Sequence, residues 1–556
     1  MAQNKEDKIS IIPLGGRREI GNNMILVEDE DGIIVLDSGI LFPEVEQFGV
    51  DLIMPDISYL IENREKVKGI IISHGHEDHI GAIPYVLREL NLPIYGTRLT
   101  IGLVKIKLKE FGLLRDAGLH EINPGENFEI GNFNVEFIRI THSIPDAVAM
   151  AIKTKAGTVL YTGDYKFDHT PIDGKPSDIQ RLGEIGSEGV LALLGDSTNA
   201  EREGTTLSER VVSENIENIF RLSEGRIIVS TFSSNIHRIQ QVFTAAQKTG
   251  RKVGITGRSM IKVVELGSKI GYLDFDEDTL IDLRKTKSLK PHEVVLLMTG
   301  SQGEPRAALT RMSRGDHRQI EIIPGDTVLL SSMPIPGNER SIGQTINQLY
   351  SQGARVLYNG MVDAHASGHA CQDEMKLMIN LIKPKFLVPV HGEFRHLYHH
   401  AELAKQIGIP DDNIFITDNG TRLNMTKERA WISGSVPSGE VMIDGLGVGD
   451  VGNIVLRDRR ILSENGIVIV SLTIDGKTAK VLAGPDIISR GFVFIRESQE
   501  LIAEAERLAM EGLRELEKKN ITDWSTIKKV VIDSIDNYLY KQTRRKPFIL
   551  PIINEV

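Results

Sequence analysis

The chain has 556 residues, of which 41% are hydrophobic and 25% charged, and its only cysteine is Cys371. This length predicts two or three domains, and one cysteine excludes a disulfide framework or a cysteine-based zinc finger. The net charge of -11 taken alone argues against a nucleic-acid partner, but an average does not describe a local channel. Because the polar N-terminus lacks the apolar core of a signal peptide and no apolar stretch approaches a membrane span, we expect a soluble cytoplasmic protein without membrane contact.

The first segment, residues 8–37, is predicted to be a meander of strands that ends at Asp37. Its Gly15-Gly16 and Gly21 do not form a dinucleotide-binding fingerprint, since no adequate helix follows before the next strand. Asp37 at a strand end fits two roles equally, the orientation of a metal ligand and the capping of a turn.

The densest group of reactive side chains comes after a short β-branched segment. Residues 70–72 are predicted to form a buried strand and residues 80–90 a helix. The loop between them carries His74, His76, Asp78 and His79. Neutral imidazole and carboxylate are ligands of zinc-like metals, and one short loop cannot easily turn all four onto one ion. The motif therefore indicates two adjacent metal ions.

Two later predicted strands end on the same kinds of residue. Residues 133–140 run into His142, and residues 158–162 run into Asp164. Ligands from the ends of neighbouring strands converge at one edge of a sheet in α/β folds. A single such histidine is more often a core or capping residue, but several in the same register favour the metal site.

The predicted secondary-structure pattern changes after a strand at residues 190–194 that leads to Asp196. From about residue 210 to 360, helices alternate with strands, which predicts a parallel, doubly wound domain. The glycine-rich turn at residues 300–304 fits a phosphate cradle and a tight turn equally well.

Histidine-bearing segments like those before residue 165 then return. They are His-Ala-Ser-Gly-His at residues 365–369 and a predicted strand at residues 386–390 that leads to His391. This order predicts that residues 210–360 are inserted into the domain that begins the chain. Three histidines come next on a predicted helix, where a solvated face is favoured: His396, His399 and His400.

The C-terminal part is predicted to be a small α+β domain at residues 461–556, after a glycine-rich linker strand or crossover at 436–460. Its predicted strands are residues 467–472 and 492–495, and its predicted helices are 501–518 and 524–540. The expected divisions of the chain are 1–209, 210–360, 361–435, 436–460 and 461–556.

The metal loop at residues 74–79, with His142, Asp164 and His391, resembles the ligand set of the metallo-β-lactamase fold. The insertion, with Asp196 and His369, is similar to that of the β-CASP subgroup, which acts on nucleic acids. Within that subgroup the resemblance is to the bacterial ribonuclease J family, and it covers essentially the whole chain. It is carried by residues 143–146, 196–199, 234–238, 299–305, 365–369, 452–460 and 546–547.

This resemblance implies an α/β fold class: a metallo-β-lactamase αββα sandwich (1–209 and 361–435), an inserted doubly wound β-CASP domain (210–360), a linker and a C-terminal α+β domain. One departure is Ala370-Cys371, where glycines are more familiar in the family. Because the ligating and contacting residues precede it, we expect the departure to matter little.

The resemblance also assigns metal ligands. It places His74, His76 and His142 on one ion, Asp78, His79 and His391 on the other, and Asp164 between them. Two Zn²⁺ or Mn²⁺ ions per chain are expected. A structural Ca²⁺ would map near Asp51 and Asp444.

The activity that the resemblance implies is hydrolysis of RNA phosphodiesters to 5′-phosphate and 3′-hydroxyl ends. His369 is then the general acid, Asp196 orients it, and Asp78 also counts among the catalytic residues. The implied nucleotide-phosphate site comprises Ser233, Ser234, Asn235, His365, Ala366, Ser367, Gly368 and His369. Such a pocket predicts a 5′-to-3′ exonuclease that prefers 5′-monophosphates, and a longer channel adds endonuclease activity, in RNA maturation and decay.

The expected partners are single-stranded RNA and further copies of the chain, as a homodimer or homotetramer, or a paralogue in a hetero-oligomer. The alternatives are a DNA-directed β-CASP nuclease, a weakly active partner subunit of a paralogous ribonuclease, and a small-molecule metallohydrolase. Because every metal-ligand position of the family is filled in this sequence, a weakly active partner subunit is disfavoured. The insertion argues against a small-molecule metallohydrolase, because it would cover the metals with a nucleotide-sized cleft.

Overall fold

The structure, a computed structural model, describes residues 7–44, 47–335, 337–445, 447–478, 480–493, 498–519 and 521–556. The chain forms two compact units, one of Met1–Phe42 and Ile53–Val441 and the other of Pro43–Leu52 and Met442–Val556. Among the described residues, no helix combines the length and apolar character needed to cross a membrane.

The strands and helices occur along the sequence in this order. The strands are β1 (Ile9–Gly15), β2 (Met24–Glu28), β3 (Ile33–Leu36), β4 (Leu52–Pro55), β5 (Val67–Ile71), β6 (Ile94–Gly96), β7 (Leu119–Glu121), β8 (Asn127–Ile130), β9 (Phe133–Arg139), β10 (Val148–Thr154), β11 (Gly157–Tyr161), β12 (Ala192–Asp196), β13 (Ile227–Ser230), β14 (Lys252–Ile255), β15 (Leu280–Ile281), β16 (Val294–Met298), β17 (Thr327–Leu330), β18 (Arg355–Leu357), β19 (Phe386–Val390), β20 (Thr421–Met425), β21 (Ala430–Ser435), β22 (Glu440–Asp444), β23 (Gly447–Val448), β24 (Ile467–Ile474), β25 (Val481–Arg490) and β26 (Phe548–Glu555). The α-helices are α1 (Ser58–Glu62), α2 (Glu77–Ile80), α3 (Ile83–Glu89), α4 (Arg98–Glu110), α5 (Ile179–Glu188), α6 (Glu209–Leu222), α7 (Ile236–Lys248), α8 (Arg258–Lys269), α9 (Ala308–Ser313), α10 (Glu339–Ser351), α11 (Gln372–Ile382), α12 (Phe394–Gln406), α13 (Asn453–Asn465), α14 (Gln499–Lys518) and α15 (Trp524–Thr543).

Two sheets face each other across the main core of the first unit. One has the order β21-β20-β1-β2-β3-β5-β6-β7 and the other β19-β12-β11-β10-β9-β8. Buried side chains from both sheets, such as Ile11 and Val27 on one and Phe137 and Val388 on the other, form a single hydrophobic cluster. The other face of the second sheet packs against α5, α11 and α12. Residues before and after the insertion therefore share one core.

Parallel pairing brings the predicted strand ends together. β3 pairs in parallel with β5, and β11, β12 and β19 are parallel neighbours. The segments at the carboxyl ends of these strands carry Asp37, the metal loop, Asp164, Asp196 and His391. All five therefore leave the carboxyl ends of strands, but in two facing sheets, whereas the strand-end argument expected the edge of one sheet.

The inserted residues form a third sheet, with the order β15-β14-β16-β13-β17-β18 and every adjacent pair parallel. This confirms the doubly wound pattern that the sequence predicts for residues 210–360. Two short strands, β15 and β18, extend the sheet beyond the four predicted, because two or three residues give no periodicity to recognise.

The second unit contains the sheet β25-β24-β26, with α14 and α15 against one face. Both helices and the strand at 467–472 are confirmed. The prediction of a linker strand or crossover across residues 436–460 was wrong at its end, because α13 begins at Asn453 after the last glycine of the segment. Of the predicted strand at 492–495, residues 494 and 495 lie outside the described residues, and Phe492 comes after β25 without belonging to a strand.

Two glycines of α5 differ in what surrounds them. A Cβ on Gly186 would lie 2.0 Å from the carbonyl oxygen of Leu381, whereas a Cβ on Gly183 would meet only a Leu381 methyl carbon, at 3.9 Å. Of these two positions, only Gly186 brings the backbones of α5 and α11 into close contact.

We predict that Gly186→Ala lowers the melting temperature, because overpacking a core contact costs about 1–3 kcal/mol. Gly183→Ala is the matched control and should raise it slightly, since alanine is favoured over glycine in a helix by up to about 1 kcal/mol. Differential scanning calorimetry of both variants measures the difference. A Gly186→Ala protein as stable as the Gly183→Ala protein would contradict this packing.

Candidate metal centre

Three histidines and one carboxylate form the first cluster of ligand atoms. The Nδ1 atom of His76 lies 3.0 Å from Nε2 of His74 and 3.1 Å from Nε2 of His142. The Oδ2 atom of Asp164 lies 3.7 and 3.9 Å from the same two Nε2 atoms. Tetrahedral coordination at zinc–nitrogen bonds of 2.0–2.1 Å places neighbouring ligand atoms about 3.3 Å apart. The cluster therefore has the dimensions of one metal site.

The second cluster shares the Oδ2 atom of Asp164. That atom lies 3.2 Å from Nε2 of His79, and Oδ2 of Asp78 lies 3.5 Å from Nε2 of His79 and 3.4 Å from Nε2 of His391. The Nε2 atom of His391 is buried without a hydrogen-bond partner. A buried imidazole nitrogen that lies close to a carboxylate oxygen but has no hydrogen-bond partner fits a metal ligand.

The remaining imidazole nitrogens are held by other groups, which fixes the direction of each ring. Nδ1 of His79 lies 2.8 Å from Oδ2 of Asp37, and Nδ1 of His142 lies 2.7 Å from the carbonyl oxygen of Gly368. Nδ1 of His391 lies 2.8 Å from Oδ1 of Asp164. With a proton on each of these Nδ1 atoms, the Nε2 lone pairs of His79, His142 and His391 face the clusters, whereas His76 presents Nδ1 to the first cluster.

Asp37 therefore orients the ring of His79, which is the first of the two roles that the sequence left open for it. Its Oδ1 also accepts the Ser73 backbone N–H at 2.7 Å, and its Oδ2 accepts the Tyr161 hydroxyl at 2.7 Å. Asp37 and His391 both have positive φ angles, 60° and 52°. Non-glycine residues in this conformation are uncommon and are often found at functional sites.

The electrostatics of the two clusters differ. Burial lowers the pKa of His74, His76 and His142, to about 4 for His76, which keeps these rings in the neutral form that binds metals. For His79 and His391 burial acts in the same direction, but the nearby carboxylates outweigh it and raise the pKa of both. The negative potential that attracts a proton there also attracts a cation.

His369 lies beside both clusters. Its Nδ1 is 2.8 Å from Oδ2 of Asp196 and 4.0 Å from Oδ2 of Asp164, and its side chain is 20% exposed. Burial lowers the pKa of His369, but the charges of Asp196 and Asp164 outweigh burial and raise it. At the other end of the same loop, burial and the charge of Arg238 lower the pKa of His365 to about 3. The pKa values of the two histidines of the His-Ala-Ser-Gly-His motif are thus shifted in opposite directions.

The loop of residues 365–369 is held against its surroundings at several points. Asn199 Nδ2 donates to Ser367 Oγ at 2.8 Å and to the His369 carbonyl oxygen at 2.9 Å. A Cβ on Gly368 would lie 2.3 Å from the His142 ring, so only glycine lets the loop approach that closely. Ala366 is buried. Neither Asn199 nor the Gly368 carbonyl was predicted, and a backbone carbonyl gives no sequence signal.

Ser233, Ser234 and Asn235 lie at the start of α7. Asn235 is buried, and its side chain caps the helix by accepting the Arg238 N–H at 3.0 Å. Ser233 and Ser234 are half-buried. The capping role explains why asparagine occupies this position whether or not it also contacts a substrate.

The two aspartates of the expected calcium site have other partners. Asp444 forms an ion pair with Arg459 at 2.5 Å, and Asp51 Oδ2 accepts the Gly445 backbone N–H at 2.8 Å. Neither belongs to the clusters of potential metal ligands found among the described residues. Arg459 therefore neutralises the Asp444 carboxylate here, and the calcium site stays a prediction.

The helix α12 also differs from expectation. His396 and His400 are buried rather than solvated, and His400 Nδ1 lies 2.9 Å from Ser197 Oγ. Gly195 makes room for the His400 ring, since a Cβ there would lie 2.8 Å from it. His399 alone fits the predicted solvated face, with a side chain that is 46% exposed.

Models of four protein domains match the chain. They are the metallo-beta-lactamase superfamily (residues 17–203), the ribonuclease J beta-CASP domain (224–349), the RNA specificity domain of Zn-dependent metallo-hydrolases (359–416) and the ribonuclease J C-terminal domain (454–556). The fold class predicted from the sequence is confirmed, and the histidine and aspartate clusters together with these domains identify a metal-binding protein.

A solved structure from Enterococcus faecalis V583, titled as a protein of unknown function, shares the fold. Its TM-score is 0.53 at 15% identity, over 75% of this chain and all of that one.

Two sequence relatives extend along the whole chain. Ribonuclease J 1 of Streptococcus pyogenes serotype M3 is 45% identical over 549 residues, 99% of this chain and 98% of that protein. Ribonuclease J2 of Bacillus subtilis strain 168 is 44% identical over 556 residues, the full length of both. With relatives this similar over its whole length, and with matches to both ribonuclease J domains, the chain belongs to the ribonuclease J family.

Proposed function

We propose that this protein is a metal-dependent ribonuclease that hydrolyses RNA phosphodiesters, as a 5′-to-3′ exonuclease preferring 5′-monophosphate ends and as an endonuclease, in RNA maturation and decay. The observation that carries the proposal is the sharing of Asp164 Oδ2 by two ligand clusters, beside a histidine whose Nδ1 lies 2.8 Å from Oδ2 of Asp196. Relatives named as ribonucleases J support the choice of RNA.

The proposed ligands of one ion are His74, His76 and His142, those of the other are Asp78, His79 and His391, and Asp164 belongs to both. Two Zn²⁺ or Mn²⁺ ions are the proposed cofactors. Bound there, divalent ions would supply Lewis acidity, which lowers the pKa of water and neutralises phosphodiester charge. The protein's part is to hold the imidazoles in place and to collect three carboxylates, those of Asp78, Asp164 and Asp196, beside them.

His369 is the proposed general acid for the departing 3′-oxygen. Its Nδ1 contacts Asp196, so Nε2 is the nitrogen that can carry a proton toward a substrate. Asp196 is itself held, because its Oδ1 accepts from the backbone N–H and the hydroxyl of Thr198 at 3.0 and 2.8 Å. Asp196 therefore orients the imidazole and favours its protonated form, whereas burial and the charge of Arg238 favour the neutral form of His365.

The proposed 5′-phosphate site is the loop of residues 365–368, with Ser233, Ser234 and Asn235 opposite. Asn199 fixes Ser367, so that hydroxyl is already oriented before a ligand arrives. A phosphate held next to His369 and the two clusters would set the scissile bond one nucleotide away, which explains stepwise removal from a 5′ end.

Further proposals concern organisation. We place the domain boundaries at residues 209, 360, 435 and 460. We also place the protein in the cytoplasm, with single-stranded RNA as its partner.

Homodimers or homotetramers, or hetero-oligomers with a paralogue, would form through the second unit. In that unit the face of the β25-β24-β26 sheet opposite α14 and α15 exposes Ile488, Leu550 and Ile552 by 45%, 40% and 42%.

The function is tested on matched oligonucleotides with the metal-loaded protein. RNA with a 5′-monophosphate should be degraded faster than RNA with a 5′-triphosphate, and DNA of the same sequence should persist. Cleavage of DNA at an equal or higher rate would indicate a DNA-directed enzyme. Intact 5′-monophosphorylated RNA would indicate a partner subunit instead.

We predict that Asp164→Asn and His76→Ala each reduce cleavage by about 10³-fold or more, since the loss of several kcal/mol of transition-state stabilisation has that effect on a rate. Metal content measured by mass spectrometry should fall in the same variants. His399→Ala, which changes an exposed histidine outside both clusters, is the control. A variant that lost neither metal nor activity would refute the assigned ligands.

His369→Gln should slow RNA cleavage by about 10²–10⁴-fold with both ions retained, the usual contribution of a general acid. A phosphodiester with a p-nitrophenolate leaving group needs no proton, so its hydrolysis should suffer much less. Rates on the two substrates, with metal content, make the comparison. An equal loss on both would show that His369 does not protonate the leaving group.

The double variant Leu550→Asp and Ile552→Asp should be monomeric if the open sheet face mediates self-association, because it places charges in an apolar interface. Light scattering coupled to size-exclusion chromatography gives the mass. Ile454→Asp, at a residue of α13 that is 68% exposed, is the control and should keep the oligomer. A monomeric wild-type protein would end this proposal.

A further inference from the structure

We propose that Arg238 is a positioning residue for catalysis: from a fully buried ion-pair network it fixes the start of the loop that carries His365 and His369. This inference rests on the proposed function, because the position of that loop is what sets the 5′-phosphate site and the general acid. It concerns a side chain that cannot touch RNA, since Arg238 is 0% exposed.

The guanidinium of Arg238 reaches three partners from three separate segments. Nη2 donates to Glu209 Oε2 at 2.9 Å. Nη1 donates to Ser331 Oγ and to the carbonyl oxygen of Ala364. Ser331 Oγ also donates to the Ala364 carbonyl oxygen. One side chain on α7 therefore holds the residue that directly precedes His365.

The charge of Arg238 is balanced within the same network. Glu209 Oε1 lies 3.7 Å from Lys166 Nζ, and Lys166 Nζ lies 3.8 Å from Asp168. Burial raises the pKa of Glu209, but Arg238 and Lys166 outweigh it and lower the pKa to about 2. Glu209 thus stays ionised. Lys166 is two residues after Asp164, so the network connects the metal-ligand segment to the inserted domain.

The loop that starts at Ala364 is tied down at both ends. Arg238 and Ser331 hold its first carbonyl, and at the other end the Gly368 carbonyl receives Nδ1 of His142 and the His369 carbonyl receives Asn199. Between these ties lie the side chains proposed to bind the phosphate. A shift at Ala364 would therefore displace the phosphate site and move His369 relative to Asp196.

Arginine is suited to this position in a way that lysine is not. Two nitrogens of the planar guanidinium reach Glu209 on one side and Ser331 with Ala364 on the other, and lysine offers one nitrogen. Arg238→Lys keeps the buried positive charge that balances Glu209, but its single nitrogen cannot contact both Glu209 and the pair Ser331 and Ala364. This makes it a better test than a neutral variant, because an uncompensated buried charge is strongly destabilising.

Arg226 provides a matched control. It lies at the opposite end of the same sheet, just before β13, and pairs with Asp326 at 2.6 Å as one member of a mostly buried ion pair. Arg226→Lys weakens a comparable contact without touching the loop of residues 364–369.

The experiment compares wild type, Arg238→Lys, Ser331→Ala and Arg226→Lys. Melting temperature, metal content, kcat and KM on 5′-monophosphorylated RNA, and hydrogen exchange of residues 362–371 are measured below the lowest melting temperature. For Arg238→Lys we expect retained metal, faster exchange in that segment, a raised KM, and a kcat lower by about 10²-fold, the scale of a misplacement of about 1 Å. Ser331→Ala should change the same quantities in the same direction but less, and Arg226→Lys should leave them unchanged.

Each other outcome has a definite meaning. If Arg238→Lys melts earlier but keeps wild-type kcat, KM and exchange, its role is merely structural and the inference is wrong. If Arg238→Lys does not fold, Ser331→Ala decides, and wild-type kinetics there overturn the inference. If the wild type does not cleave RNA, the proposed function fails while hydrogen exchange still tests whether Arg238 fixes the loop.

Discussion

The structure depends on a single carboxylate. Asp164 Oδ2 belongs to both ligand clusters, and Oδ1 of the same residue accepts from His391. Two clusters that share one oxygen atom cannot be placed independently, so the strands that deliver their other ligands must end at the same level. The strand β19, which leads to His391, and β11, which leads to Asp164, meet that requirement through their shared parallel neighbour β12, and this constrains the first and last parts of the first unit to one sheet.

Much of this arrangement was predictable because parallel strands obey a simple rule: the residues just beyond their carboxyl ends come together. The rule placed His142, Asp164 and His391 beside the metal loop from sequence alone, whereas Asp196 was connected to the site by the family resemblance. It failed where local sequence was ambiguous. The strand β10 was missed, and α13 was taken for a linker because five glycines precede it closely. Elements with a clear apolar periodicity were predicted correctly, whereas the seven-residue strand β10 and the helix α13 that follows the glycines were not.

The parts that sequence could not supply are those decided by neighbours distant in the chain. His396 and His400 have helical spacing typical of a solvated face, yet the small residue Gly195 leaves space that buries the His400 ring. His365 and His369 are four residues apart in one motif, but Arg238 faces the first and Asp196 the second, so their pKa values move in opposite directions. Such differences arise from packing across the insertion, which no local pattern records.

The insertion also affects the order in which the protein is assembled during synthesis. His391 contacts Asp164 across 227 residues of sequence, whereas the ligands of the first cluster are all present once residue 164 has been synthesised. Domains fold as they emerge from the ribosome, N-terminal parts first. The second cluster therefore cannot exist on a nascent chain until the whole inserted domain has been translated. A nuclease built this way remains incomplete for most of the time that it is attached to its own messenger RNA.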